Sequence, residues 1–222
     1  MAKQVLNENE AAVANAVSKT EQFLLDNKKT IWGVLAAVVV VAGISYCGYR
    51  FMYMPKKAEA LQQMSKAEAN FQAGNYELAL NGDGNVLGFE EVIAEYGSKA
   101  GKSVYLYAAT CAMKMGDADK ALSFIGKYSS KDQIMAGRAE ALKGDAYANK
   151  GDYAKAAAAF MKAAKVSDDV FSAGYLLKAG EAYEAMGQDD KAMANYKLIK
   201  DQYSNSIEAM DIDKYITRLE VK

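Results

Sequence analysis

Gly151-Asp152-Tyr153-Ala154-Lys155-Ala156 recurs along this chain. Gly74-Asn75-Tyr76-Glu77-Leu78-Ala79, Gly116-Asp117-Ala118-Asp119-Lys120-Ala121 and Gly187-Gln188-Asp189-Asp190-Lys191-Ala192 align with it without gaps, and their glycines stand 42, 35 and 36 residues apart. A self-similar period in this range marks a repeat architecture, each unit being a helix pair that buries its apolar face against the next. Glycine supplies the positive φ that ends a first helix, and the alanine five residues on permits close approach early in the second.

Other positions follow the same register. Twelve residues before each second-helix alanine stand Ala67, Ala109, Gly144 and Gly180, all small, as close helix packing requires. Four residues after it, in the last three copies, stand Ile125, Phe160 and Tyr196, expected to fill space against the next helix. Tyr147 and Tyr183 hold an aromatic position in the first helices of the last two copies. In the first copy Asn81-Gly82-Asp83-Gly84-Asn85-Val86-Leu87-Gly88 interrupts the register, reads as a loop, and the apolar pattern resumes at Phe89. Past the last unit, Ile212, Tyr215, Ile216 and Leu219 follow i, i+3, i+4, i+7 spacing, the stripe of a capping helix over about Ser206 to Lys222.

Upstream of the repeats, Thr30 to Tyr49 contains no charged residue. About 20 apolar residues at 1.5 Å rise match a hydrocarbon core of roughly 30 Å, so residues 30–53 read as a transmembrane helix with its flanks. Trp32 on one side and Tyr46, Tyr49, Phe51 and Tyr53 on the other stand where interfacial aromatics belong. A cleaved signal peptide has a shorter apolar stretch and a short basic leader, whereas about 30 residues precede this one. Flanking charge does not orient it, with Lys19, Lys28 and Lys29 before the span and Arg50, Lys56, Lys57 and Lys66 after it. Leu6, Val13, Val17 and Leu24 recur at helical spacing in residues 1–29, consistent with a short surface helix or a frayed tail. The expected organisation is therefore a short segment 1–29, the span 30–53, and a repeat domain 56–222. The fold class is all-α: one transmembrane helix, a solenoid of about four helix pairs, and a C-terminal cap.

The 222 residues include 27 Lys+Arg, 28 Asp+Glu and no histidine, for a net charge of -1. The balanced charge argues against nucleic acid as a partner, since phosphate binding draws on a basic surplus. The missing histidine removes imidazole acid-base catalysis and most zinc and haem sites. Cys47 and Cys111 are too few and too far apart for a metal knuckle or a disulfide framework. Glu90-Glu91, Asp168-Asp169 and Asp189-Asp190 are neighbours on helices, point about 100° apart, and read as solvated faces or caps. Gly82, Gly84 and Gly88 fail the dinucleotide spacing, because Leu87 stands where the third glycine belongs. Asp83 and Asn85 lack the further oxygen ligands of a calcium loop. No enzyme activity, cofactor or metal is expected.

The expected binding surface is the groove lined by the first helices of a curved solenoid. Register assigns to it Met64, Glu68, Phe71, Leu106, Thr110 and Met113 from the first two copies. Arg138, Asp145, Asn149, Leu177, Glu181 and Glu184 follow from the last two. Met64, Phe71, Leu106 and Met113 form an apolar end suited to varied partners, so removing Phe71 and Met113 is expected to weaken capture and spare stability. Core packing is the competing reading of each.

Phe23-Leu24-Leu25-Asp26-Asn27-Lys28-Lys29 running into Ile31-Trp32-Gly33, followed by repeats of tetratricopeptide type, resembles the tetratricopeptide-like ancillary subunits of the bacterial Sec translocon. The resemblance implies an inner-membrane protein with a cytoplasmic N-terminus. Its periplasmic repeat domain would act as a chaperone-like adaptor touching translocon subunits, secreted chains or periplasmic chaperones. A periplasmic scaffold for envelope assembly or cell division, and a cytosol-facing receptor, remain as alternatives.

Overall fold

The computed structural model describes residues 21–221, so Leu6, Val13 and Val17 of the expected N-terminal helix lie outside the described residues. Among the described residues every regular element is helical. The chain divides into two compact units, residues 1–55 and 56–222.

In the first unit, α1 (Lys28–Cys47) presents its apolar residues outward and buries none of them. One N-terminal helix is thus long and apolar enough to cross a membrane. A π-helical turn, Gly48–Tyr53, follows, and Tyr49 stacks on Tyr53 with ring centroids 5.6 Å apart. Pro55 stands just beyond it. Proline has no amide hydrogen to continue the i to i−4 ladder, and a register shift beside it is where a wide turn is least costly.

The second unit is four helix pairs and a final helix. The first pair is α2 (Met54–Gln72) with a broken partner, α3 (Tyr76–Asn81) and α4 (Phe89–Tyr96), and a 3₁₀ turn over Gly97–Ala100 closes it. Then come α5 (Ser103–Lys114) with α6 (Ala118–Ile125), α7 (Gln133–Asn149) with α8 (Tyr153–Ser167), and α9 (Ser172–Ala185) with α10 (Asp189–Gln202). The last helix is α11 (Ile207–Glu220), whose Ile212 and Ile216 are buried against the fourth pair.

The four turns share one geometry. Gly74, Gly116, Gly151 and Gly187 take φ of 79, 83, 75 and 68°. In each, the glycine amide donates three residues back and the next amide five back, as in Gly151 N to Ala148 O at 2.9 Å and Asp152 N to Tyr147 O at 2.9 Å. Asp117 and Asp152 then cap the second helix by accepting from the amides of Lys120 and Lys155. Ala79, Ala121, Ala156 and Ala192 are all fully buried. Phe160 and Tyr196 fill space within their own pairs, over Gly144 and Gly180, as well as toward the next helix, where Tyr215 lies 5.3 Å from Tyr196.

The interruption after α3 is a loop, held by Asp83 Oδ1 accepting from the amides of Asn85 and Val86 at 2.9 and 2.7 Å. Glu91 caps α4 by accepting from the Gly88 amide at 3.1 Å, and Glu90 pairs with Lys120 at 2.5 Å. These neighbouring carboxylates are occupied by a cap and an ion pair.

Candidate functional site

First helices of successive pairs are neighbours. Phe71 of α2 meets Tyr107 of α5 with centroids 5.1 Å apart, α5 packs beside α7, Lys178 of α9 bonds Asp145 of α7 at 2.7 Å, and α9 packs beside α11. The twelve expected groove residues all lie on these helices, but their side chains divide into three groups.

The apolar end belongs to the core. Met64 is 5% exposed, inside the cluster built by the first two pairs, so it has no face left for a client. Phe71 is half-buried among Tyr76, Phe89 and Tyr107, at centroid distances of 5.6, 6.4 and 5.1 Å. Leu106 and Met113 pack on the same cluster and Leu177 on that of the fourth pair. The physical reason is enclosure from both sides: Tyr76 of α3 and Phe89 of α4 in the broken second helix, and Tyr107 of the next pair, surround Phe71. Beside them, the Thr110 hydroxyl donates to Leu106 O at 2.8 Å. Burial raises the Glu68 carboxyl above its usual value, and burial followed by the Glu68 charge raises the Tyr107 phenol.

A second group is polar and already engaged. Glu184 Oε1 accepts from the Tyr196 hydroxyl at 2.5 Å and from Arg218 at 2.6 Å, tying α9 to α10 and α11. Burial first, then the hydrogen bond and charge of Glu184, push the Tyr196 phenol well above its ordinary range.

The third group is open to solvent: Arg138, Asn149 and Glu181 are exposed and Asp145 is half-buried. Asp145 and Glu181 converge with Lys178, Phe160 and Tyr153 on a shallow pocket of about 230 Å³. Burial, then the Glu184 charge, raises the Glu181 carboxyl. Arg138 lies over the Phe171 ring at 5.1 Å. Sequence register did not single out Lys178 or Tyr153. Lys178 was within reach, since it stands one turn before Glu181 on the same helix face.

Lysines also cover the aromatics that recur in the repeat register, with Lys155 5.5 Å from the Tyr147 ring and Lys191 5.4 Å from that of Tyr183. Cys111 is buried and its thiol is pushed up to about 12 by burial, which makes it an unreactive packing residue. No group of three or more acidic or cysteine side chains able to hold a metal ion occurs among the described residues.

Residues 175–206 match the tetratricopeptide repeat family. That stretch covers most of α9, the Gly187 turn and α10, so the chain contains a tetratricopeptide repeat, a unit that serves protein–protein interaction. No curated protein matches the chain.

Proposed function

We propose that this protein is a membrane-anchored tetratricopeptide-repeat scaffold, a chaperone-like adaptor that binds proteins or peptides beside the Sec translocation machinery. The observation that carries the reading is the joining, in one chain, of an apolar helix that buries nothing and an array of helix pairs containing a tetratricopeptide repeat. An apolar helix of this length left bare in water would expose far more apolar surface than soluble monomers tolerate, and a bilayer covers it. The repeat array supplies a surface rather than a reaction centre. With no histidine in the sequence and the open groove residues limited to Arg138, Asp145, Asn149 and Glu181, its work is recognition.

The repeat domain faces the periplasm in this reading, and residues 1–29 the cytoplasm. Flanking lysines do not decide the matter, but long domains translocate largely regardless of them, and the translocon subunits that the sequence resembles are oriented this way.

Two measurements test it. Protease added to spheroplasts should digest residues 56–222 and spare residues 1–29; the reverse pattern overturns the orientation and favours a cytosol-facing receptor. Purification from detergent should bring translocon subunits with the full chain. Recovery of envelope-assembly or division proteins in their place would move the scaffold to that setting.

A further inference from the structure

Apolar side chains are exposed where the first helices of the later pairs and the final helix begin: Ile134 in α7, Val170 and Phe171 just before α9, Ile207 and Met210 in α11. Val170 is 74% exposed, Ile207 80% and Met210 81%, values that leave them out of any packing within the chain. Between the starts of α9 and α11 the structure opens a cleft of about 620 Å³, walled by Val170, Phe171, Tyr175, Tyr203 and Ile207. Gly174 lines it without a side chain, on the α9 surface facing Glu208. A Cβ placed there would come 3.0 Å from Glu208 Oε1, which locates that carboxylate at the cleft wall.

The two charges lining the cleft differ in their circumstances. Lys178 is neutralised by Asp145 at 2.7 Å. Glu208 lines the same cleft with no ion pair or hydrogen bond to its carboxylate among the described residues. Glu208 stands in the first turn of α11, where the helix dipole favours its charge but supplies no counter-ion. Apolar walls with one such anion are complementary to an apolar side chain that has a cation beside it. Gln202 and Asn205 add side-chain amides able to bond an extended backbone. The volume lies in the range of ligand pockets and exceeds a single aromatic side chain, leaving room for the flanking backbone.

We propose that this cleft docks a partner polypeptide through an aromatic or branched aliphatic side chain held between Val170 and Ile207, with an adjacent Lys or Arg paired to Glu208. The proposal rests on the protein-binding reading above and adds, where α9 and α11 begin, a site and a ligand chemistry whose lining residues include none of the twelve expected groove positions.

A random heptapeptide library displayed on phage, panned against the full chain in nanodiscs with empty nanodiscs as counter-selection, tests it. The enriched peptides should carry Phe, Tyr, Leu or Ile next to Lys or Arg. The double variant Val170→Ser, Ile207→Ser should weaken their binding at least about tenfold by fluorescence anisotropy, with an unchanged melting curve because both side chains are solvent-exposed. Panning on Glu208→Lys should select the opposite charge beside the apolar residue. Peptides indifferent to all three substitutions would overturn the cleft while leaving the scaffold reading intact. Failure to enrich any peptide would also overturn the cleft, and copurification would then decide the scaffold reading independently. Apolar peptides selected without a charge preference on either protein would remove Glu208 from the site and with it the proposal.

Discussion

The ring of Phe160 in α8 lies directly against the backbone of Gly144 in α7, so that a Cβ on Gly144 would stand 2.5 Å from Cε1 of the ring. Tyr196 occupies the same position over Gly180 in the next pair, closer still. Each glycine is thus the floor on which the largest buried side chain of its pair rests, and both rings are essentially inaccessible to solvent. Glycine inside a helix forgoes about 1 kcal/mol relative to alanine, a sacrifice that the close approach of the ring explains.

Gly144→Ala and Gly180→Ala are therefore expected to destabilise despite their better helix propensity. Overpacking a tight interior costs about 1 to 3 kcal/mol. In a unit of this size each kcal/mol moves the melting temperature by about 2 to 4 °C. Helical circular dichroism of the detergent-solubilised chain should show the loss, and Phe160→Leu should recover part of it in the Gly144→Ala background. A rise in melting temperature on Gly144→Ala alone would mean that the ring yields freely.

Phe71→Ala should lower the melting temperature of the full chain, the opposite of what a groove position implies. Its ring touches three others, and truncation of such an aromatic costs about 3 kcal/mol or somewhat less, since it is only half-buried. Met113→Ala should add a smaller loss of its own. Unchanged melting with weakened partner capture would return both residues to the groove.

The features legible in the sequence are those fixed by the backbone. A positive φ at the turn and a missing Cβ under a ring each admit one or two residue types, so Gly151 and Gly144 announce their roles wherever they recur. The capping stripe of α11 was legible for a similar reason, because a terminal helix buries one face only. First helices inside the array touch their own partner and both neighbouring pairs, so an apolar residue on nearly any face of α2 or α5 finds something to pack against. Met64 is buried in the cluster of the first two pairs and Phe71 packs on it against Tyr76, Phe89 and Tyr107, the last two far enough along the chain that no local pattern records them. Glu184 was equally unreadable, since its partners Tyr196 and Arg218 are 12 and 34 residues away.

Glu140 gives the protein an acid-sensitive link. Burial opposes its charge, but the hydrogen bonds and charges of Lys143 at 2.8 Å and Lys162 at 3.1 Å outweigh burial and hold its carboxyl below the ordinary 4.5. A carboxyl depressed in the folded state stabilises above its unfolded value, and that contribution disappears as pH falls through the folded value. Glu140→Gln should therefore lower the melting temperature at neutral pH and narrow the gap to wild type below about pH 4, by the same linkage. A difference independent of pH would show that the ion pairs contribute nothing through ionisation.

The Glu184 carboxylate is the one acceptor shared by the buried Tyr196 hydroxyl and Arg218 of the cap, so its removal should act on three helices at once. Glu184→Ala leaves the hydroxyl without a partner, at a cost of about 1 to 3 kcal/mol. Tyr196→Phe removes the hydroxyl itself and should cost less. Combined, the two should lose less than their sum, because the orphaned group is gone, with a coupling of about 0.5 kcal/mol or more. The pair also has an alkaline signature. Since the folded state raises the Tyr196 phenol above its ordinary 10.0, the unfolded chain releases that proton first, and stability present below pH 10.0 falls as pH rises through it. Wild type should lose melting temperature there more steeply than Tyr196→Phe, the remaining slope including Tyr96, Tyr107, Tyr175 and Cys111, which burial also raises. Identical alkaline slopes in the two proteins, together with additive losses in the double variant, would show that Glu184 and Tyr196 are neighbours without being coupled.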